Sequence, residues 1–79
     1  IFPNPVVGYL RLGIESAIKE PLTAVIFDSK GAVIDTWIIP TSAKSLGYFD
    51  KDLSELQSGL YFLNVTDGTV SISQKFIKT

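Results

Sequence analysis

The residues of this chain that could do chemistry are mainly aspartates close to predicted turns: Asp28, Asp35, Asp50 and Asp52. The 79 residues include no histidine and no cysteine, which removes the commonest general base and any thiolate nucleophile. Serines such as Ser58 and Ser73 therefore have no imidazole to activate them. Because no second group supports the carboxylates, we expect them to be solvated caps and the chain not to be an enzyme.

Asp50 and Asp52 could instead hold calcium, which prefers oxygen ligands. The spacing of an EF-hand is missing, and Lys51 between the two acids repels a cation. We therefore favour a polar turn at this position and predict no cofactor.

Trp37 is the one tryptophan, and two interpretations of it are open. Strand alternation places it on one face with Val33, Asp35 and Ile39, and places Ile34, Thr36 and Ile38 on the other. A tryptophan beside an aspartate on an outer face could stack on a sugar ring. We favour the core or its rim, where strand tryptophans are more often found.

The composition predicts one small domain, in which 46% of residues are hydrophobic. The net charge is −1 and no basic cluster exists, which argues against nucleic-acid binding. No apolar run approaches the ~20 residues that span a bilayer. The chain opens at Ile1 without a signal peptide, so we expect a fragment of a longer protein.

Alternating apolar residues between turn signals predict short strands over residues 9–15, 22–28, 32–39, 45–50, 60–66 and 69–78. Gly31 ends a predicted turn over residues 28–31, and Asp67-Gly68 predicts a two-residue type I′ turn. Only residues 51–57 could form a short helix. Six or seven short strands indicate an all-β sandwich, with a core that includes Leu10, Leu12, Ile26, Tyr61, Leu63 and Val65.

Three segments then line up along the whole chain: "FPNP" at residues 2–5, "FDSKG" at 27–31, and "LSELQSGLYFLNV" at 53–65 followed by "QKFIKT" at 74–79. In this order and spacing they resemble the C-terminal sorting domain of the type IX (Por) secretion system of Bacteroidetes-type bacteria. The resemblance covers all 79 residues. "GYFDKD" at residues 47–52 departs from it, being longer and more aromatic than the usual strand there.

The resemblance implies a single domain over residues 1–79, an immunoglobulin-like antiparallel β-sandwich of about seven short strands. It also implies a non-catalytic signal that directs cargo across the outer membrane. Shuttle components and the translocon would recognise it in the periplasm and at the outer membrane, and a sortase-like protease would usually cut it off. The cargo would then remain on the cell surface or be released.

The resemblance also assigns family-motif residues: Pro3, Asn4 and Pro5 in the opening segment, Asp28 and Gly31 in the central turn, and Leu56, Gly59 and Tyr61 in the turn before the penultimate strand. It makes the terminal strand the candidate for partner recognition, through Lys75, Phe76, Ile77 and Lys78. By alternation, we expect Phe76 to pack into the core and Ile77 to be exposed. The two lysines would keep an open sheet edge from self-associating and steer it to an acidic partner.

An accessory adhesive or carbohydrate-binding module of an extracellular enzyme is the alternative function. The fold alone does not separate the two. A carbohydrate module needs an exposed aromatic platform, whereas a sorting domain must end the polypeptide, as Thr79 after a basic strand would do. We also expect weak self-association through edge strands.

Overall fold

A computed structural model describes residues 5–14 and 21–79 of the chain. These residues form six β-strands and one short 3₁₀ helix. The strands are β1 (Tyr9–Gly13), β2 (Leu22–Asp28), β3 (Val33–Ile39), β4 (Tyr48–Asp52), β5 (Gly59–Thr66) and β6 (Ser71–Lys78), and the 3₁₀ helix is Thr41–Ser45. All pairs between named strands are antiparallel, and they form a two-stranded sheet, β1-β4, and a four-stranded sheet, β3-β2-β5-β6.

The turn between β2 and β3 is held by the Asp28 carboxylate. Its Oδ1 atom accepts hydrogen bonds from the backbone N–H groups of Lys30 and Ala32, both at 2.9 Å. Gly31 has φ of 88°, a conformation that costs glycine little. The predicted turn over residues 28–31 is therefore confirmed, and it brings β2 and β3 together as a hairpin.

After the β2–β3 hairpin, the chain crosses to the smaller sheet and then back to the larger one. From β3 it passes through the 3₁₀ helix to β4, which pairs with β1 in the smaller sheet. It then returns to the larger sheet as β5, which pairs with β2 on one side and β6 on the other. Two hairpins thus lie side by side in one sheet, with the smaller sheet over part of it.

The core lies between the sheets and collects alternate residues of both. Its buried members are Val6, Leu10, Leu12, Leu22, Ala24, Ile26, Ile39, Ala43, Leu53, Tyr61, Leu63 and Phe76. Five of the six predicted core residues are among them, and Val65 packs against the cluster while partly buried. The predicted all-β sandwich is confirmed. The described residues show six strands and an isolated bridge at Val6.

Two local predictions are wrong. Thr66 pairs with Ser71, so four residues rather than two connect β5 and β6. Asp67 closes this loop, because its carboxylate accepts the N–H groups of Thr69 and Val70, both at 2.8 Å. Residues 51–57 do not form a helix either, since their first two residues complete β4 and the others form turns.

A β-bulge changes the alternation at the start of β3. Ile26 pairs with Asp35 and Phe27 pairs with Val33, so Ile34 is an extra residue in β3. Ile34 and Asp35 both line a cavity beside Ile26. The prediction that Val33 shares a face with Asp35, opposite Ile34, is therefore wrong, because simple alternation fails across a bulge.

Candidate functional site

The terminal strand β6 forms one edge of the larger sheet and pairs with β5 along its whole length. Phe76 lies opposite Tyr61, Ile77 opposite Leu60, and Lys75 opposite Phe62. These pairs decide which side chains of β6 face the core and which face solvent.

Phe76 fixes the strand to the core, as predicted. Its side chain is fully buried and stacks on Tyr61, with ring centroids 5.7 Å apart. The Tyr61 hydroxyl donates a 2.8 Å hydrogen bond to the backbone oxygen of Gln57, in the turn that precedes β5. Leu56 packs against the core from the same turn, and Gly59 begins β5. The motif around residues 56–61 thus holds the last strand in place.

Ile77 and Lys75 lie on the opposite face from Phe76. Ile77 is 51% exposed, and Leu60 beside it is 38% exposed. Lys75 is exposed too, and no acid of the described residues pairs with its ammonium group. These two side chains are therefore accessible to a partner.

Lys78 is not accessible, and its predicted role at an open edge is wrong. The residue is only 5% exposed, and its Nζ atom donates a 2.9 Å hydrogen bond to the backbone oxygen of Thr79. The cause is the strand period of two, which places residue 78 on the same face as buried Phe76. Lys78 contributes its aliphatic stem to the core side of the sheet.

The end of β6 is covered by the N-terminal part of the chain. The backbone N–H of Val6 donates to the oxygen of Ile77 at 2.7 Å, and the N–H of Thr79 donates to the oxygen of Val6 at 2.9 Å. Val6 is fully buried and forms a parallel bridge with Lys78. A partner strand could therefore not pair with this end of β6 without displacing Val6.

The opening motif is only partly visible. Pro5 is exposed and precedes Val6 directly. Pro3 and Asn4 lie outside the described residues.

The aspartates considered for chemistry have structural partners. The Asp50 carboxylate accepts two hydrogen bonds from Arg11, at 2.6 Å from Nε and 2.8 Å from Nη2. The guanidinium carbon also lies 4.0 Å from the ring centroid of Tyr48. The hydrogen bonds from Arg11 lower the pKa of Asp50, because they favour the ionised carboxylate.

Asp52, two residues after Asp50 in β4, also has a structural partner. Its carboxylate accepts the backbone N–H of Ser54 at 2.8 Å, and hydrogen bonds from Ser54 lower its pKa. Across residues 5–14 and 21–79, no three acids converge on a point where a metal ion could bind. The calcium alternative therefore has no group of ligands in the described structure.

Trp37 lies at the rim of the core rather than on an open surface. It packs against the buried cluster, and the Lys51 ammonium sits 4.8 Å from its ring centroid. Lys51 also pairs with Asp35 across 3.2 Å. Asp35, two residues before Trp37, thus holds Lys51 over the ring, where a sugar was considered above.

Sequence reasoning missed Arg11 and Lys51, which organise these aspartates. Arg11 lies opposite Asp50 because β1 pairs with β4, and Lys51 reaches from β4 to β3. In the sequence Arg11 lies between Leu10 and Leu12, and no local signal identifies the strand that will lie opposite it.

The fold and the site together define a small β-sandwich that displays an exposed face of its last described strand, β6. Comparison with protein families identifies the group: the profile of the secretion system C-terminal sorting domain matches residues 1–79. The chain belongs to this family, the C-terminal sorting domains of type IX secretion. The comparison with curated proteins and the comparison with solved structures each gave no match.

The family match covers the full sequence, including the residues that the structure does not describe. It assigns the chain a role as a C-terminal sorting signal for type IX secretion. Within the described residues, no helix has the length and apolar character needed to cross a bilayer.

Proposed function

We propose that this chain carries its cargo through the outer membrane by presenting the exposed face of β6 to the secretion machinery. Shuttle components and the translocon bind the folded domain in the periplasm, and a sortase-like protease then removes it from the cargo. The domain takes no part in catalysis.

The observation that carries the proposal is the division of β6 into a buried face and an exposed face. Phe76 and Lys78 fix the strand, whereas Lys75 and Ile77 remain accessible. A signal that is read on folded cargo needs such a local, rigid surface. The strand supplies it without unfolding any other part of the sandwich.

Export of a reporter tests the proposal. A fluorescent protein with an export signal at its N-terminus and this chain at its C-terminus is expressed in a bacterium that has a type IX system. Surface fluorescence is measured by cell fractionation and protease accessibility. We expect surface delivery with the chain and periplasmic retention without it.

A point substitution localises the signal better than a truncation. Deleting residues 75–79 would remove buried Phe76 and unfold the domain, so its failure to be exported would not identify a recognition surface. Ile77→Ser keeps the core, and Ile72→Ser is its control, because Ile72 lies on the opposite face of β6 and is 68% exposed. We expect reduced delivery with Ile77→Ser alone. Equal delivery by both variants would contradict a role for the exposed face of β6.

The carbohydrate-binding alternative loses its main support. It depended on an open tryptophan platform, and Lys51 covers Trp37. No glycan-binding role is therefore proposed.

A further inference from the structure

An exposed apolar patch crosses the larger sheet on the side turned away from β1 and β4. We define the outer apolar patch as Val33, Phe27, Phe62, Leu60 and Ile77. Strand register makes these residues neighbours, since Phe27 lies opposite both Val33 and Phe62, and Leu60 lies opposite Ile77. Side chains directly opposite one another on a sheet face are in contact range.

The patch is accessible over most of its length. Val33 is 60% exposed, Ile77 51%, and Leu60 and Phe62 38% each, while Phe27 is half-buried. Each of the four strands thus contributes at least one residue to a single apolar surface, and β5 contributes two. Contiguous exposed apolar surface of this kind marks interaction sites, whereas scattered apolar residues do not.

The charges on this face are unusually few. Among its described strand positions, Lys75 is the only ionisable side chain, and it lies directly opposite Phe62 at the border of the patch. The aspartates of β3 and β4 that form ion pairs lie elsewhere, with Arg11 and Lys51. A ligand that covers the patch would therefore meet one positive charge, with which no acid of the described residues pairs.

We propose that the outer apolar patch docks a second protein, whose contact surface is apolar and places one carboxylate against Lys75. The inference rests on the proposed sorting function and adds the chemistry of the partner. In this proposal the partner binds across the face of the larger sheet. It does not add a strand to the edge of β6, because Val6 already occupies the end of that edge.

The charge pattern selects this occupant over two others. A second copy docked through the same patch would bring another Lys75 and no acid from that face. An anionic lipid surface attracts clusters of basic residues, typically four or more, whereas this face offers one lysine. A different protein with a buried acid satisfies both the apolar residues and the single charge.

The reporter described above tests the patch with matched double variants. Val33→Ser with Leu60→Ser removes two exposed apolar side chains of the patch. Ile38→Ser with Ile72→Ser removes two others, 57% and 68% exposed, that lie outside it. We expect surface delivery to fall about tenfold in the first variant only, as for loss of interface hot spots. Thermal melts of both purified variants verify that each remains folded.

The charge is tested separately at Lys75. Lys75→Arg retains the positive charge and should retain delivery, whereas Lys75→Glu should reduce delivery about tenfold, because like charges then face each other. Normal delivery by Lys75→Glu would overturn the carboxylate partner. Loss of delivery by Lys75→Arg as well would overturn it too, since charge alone would not explain the requirement.

The partner is identified by a photo-crosslinking benzoylphenylalanine at position 62, with position 38 as control. We expect position 62 alone to form an adduct with a protein of the secretion machinery, identified by mass spectrometry, and Lys75→Glu to abolish it. An adduct with a second copy of the chain would overturn the inference. So would flotation of the purified chain with vesicles of phosphatidylethanolamine and phosphatidylglycerol that requires the patch.

The two proposals fail in different ways. If the patch variant is folded and exported normally while the reporter without the chain is retained, the patch inference is wrong and the sorting function stands. If the reporter with the unchanged chain is not delivered, the sorting function itself is wrong.

Discussion

At the scale of single residues, ion pairs engage Asp35 and Asp50, and backbone N–H groups of turns engage Asp28 and Asp52. The Arg11–Asp50 pair joins β1 to β4 with two hydrogen bonds on a solvent-facing surface. Lys51 joins the smaller sheet to the larger one through Asp35 and the ring of Trp37. Exposed ion pairs usually contribute little to stability. Two hydrogen bonds in a planar arrangement favour the Arg11–Asp50 pair, and the position of Lys51 over the Trp37 ring favours the Lys51–Asp35 pair.

The pKa of Asp50 predicts how stability changes with pH. Arg11 holds that pKa below the ordinary value of 3.8, so the folded state binds the proton less readily than the unfolded chain. The stabilisation is present above pH 3.8 and is lost as pH falls through the folded pKa. We expect Asp50→Asn to lower the melting temperature at pH 7, and the difference from the wild type, measured by circular dichroism, to shrink as the pH falls below 3.8.

Glu55→Gln is the control for that experiment, because Glu55 is exposed and has no ion pair within the described chain. Its melting temperature should follow that of the wild type across the pH range. A constant difference between Asp50→Asn and wild type at every pH would show that packing, rather than ionisation, explains the effect.

Lys51 is expected to shield Trp37 mainly through its aliphatic stem. Lys51→Ala uncovers the ring and should shift tryptophan fluorescence to longer wavelength, with faster quenching by acrylamide. Lys51→Met keeps a stem of similar length and should retain most of the shielding. Identical quenching of both variants and the wild type would contradict this arrangement.

At the scale of elements, the predicted strands were largely correct because their signals are local. The limits of β2 match the apolar run of residues 22–28, and Gly31 and the Asp28 side chain mark the turn that follows. The Phe76 and Ile77 faces of β6 follow from alternation once the strand is recognised.

The errors came from pairings that depend on distant parts of the chain. The Val6 bridge joins residues more than 70 positions apart, and nothing near Lys78 in the sequence signals that Val6 will pair with it. The pairing of β1 with β4 and the bulge opposite Phe27 depend likewise on the assembled sheets. Strand alternation alone places Lys78 on the same face as Phe76. The prediction of an exposed side chain at the sheet edge rested instead on the positive charge of Lys78.

The burial of Lys78 gives β6 a test of its own. Lys78→Ala should destabilise the domain by about 1 kcal/mol, the usual cost of a single substitution, through lost packing. Lys78→Met retains the stem and should cost less. Urea unfolding of both variants measures the difference. If the charged group were the important part, the methionine variant would be as unstable as the alanine variant.

At the scale of the whole molecule, two sheets of unequal size share a small core. The two-stranded sheet covers only part of the four-stranded one, so Val70 and Ile72 at the β5–β6 end stay more than half exposed. A domain of this size has about 3–5 kcal/mol of stability from its core. Each fully buried side chain therefore matters.

Leu63 is the appropriate probe of that core, because it is 2% exposed and lies in the central strand β5. Truncation of a buried leucine costs about 2–5 kcal/mol, so Leu63→Ala should leave much of the population unfolded at 25 °C. Leu46→Ala is the control, since Leu46 is 67% exposed. A cooperative melt of Leu63→Ala near the wild-type temperature would contradict the described core.

The bridge at Val6 has a mechanical consequence for a domain that is held at one end and attached to cargo at the other. Tension applied from the N-terminal side reaches Val6 first, and from there the backbone of Ile77 and Thr79. Because the two segments run parallel, the load shears their hydrogen bonds together instead of opening them one by one. We expect the bridge to need a higher rupture force than two hydrogen bonds that open one after the other. Force spectroscopy with handles at both ends of the chain would measure this rupture force. A pull from the cargo would then be transmitted directly to β6, the strand whose exposed face is proposed to meet the secretion machinery.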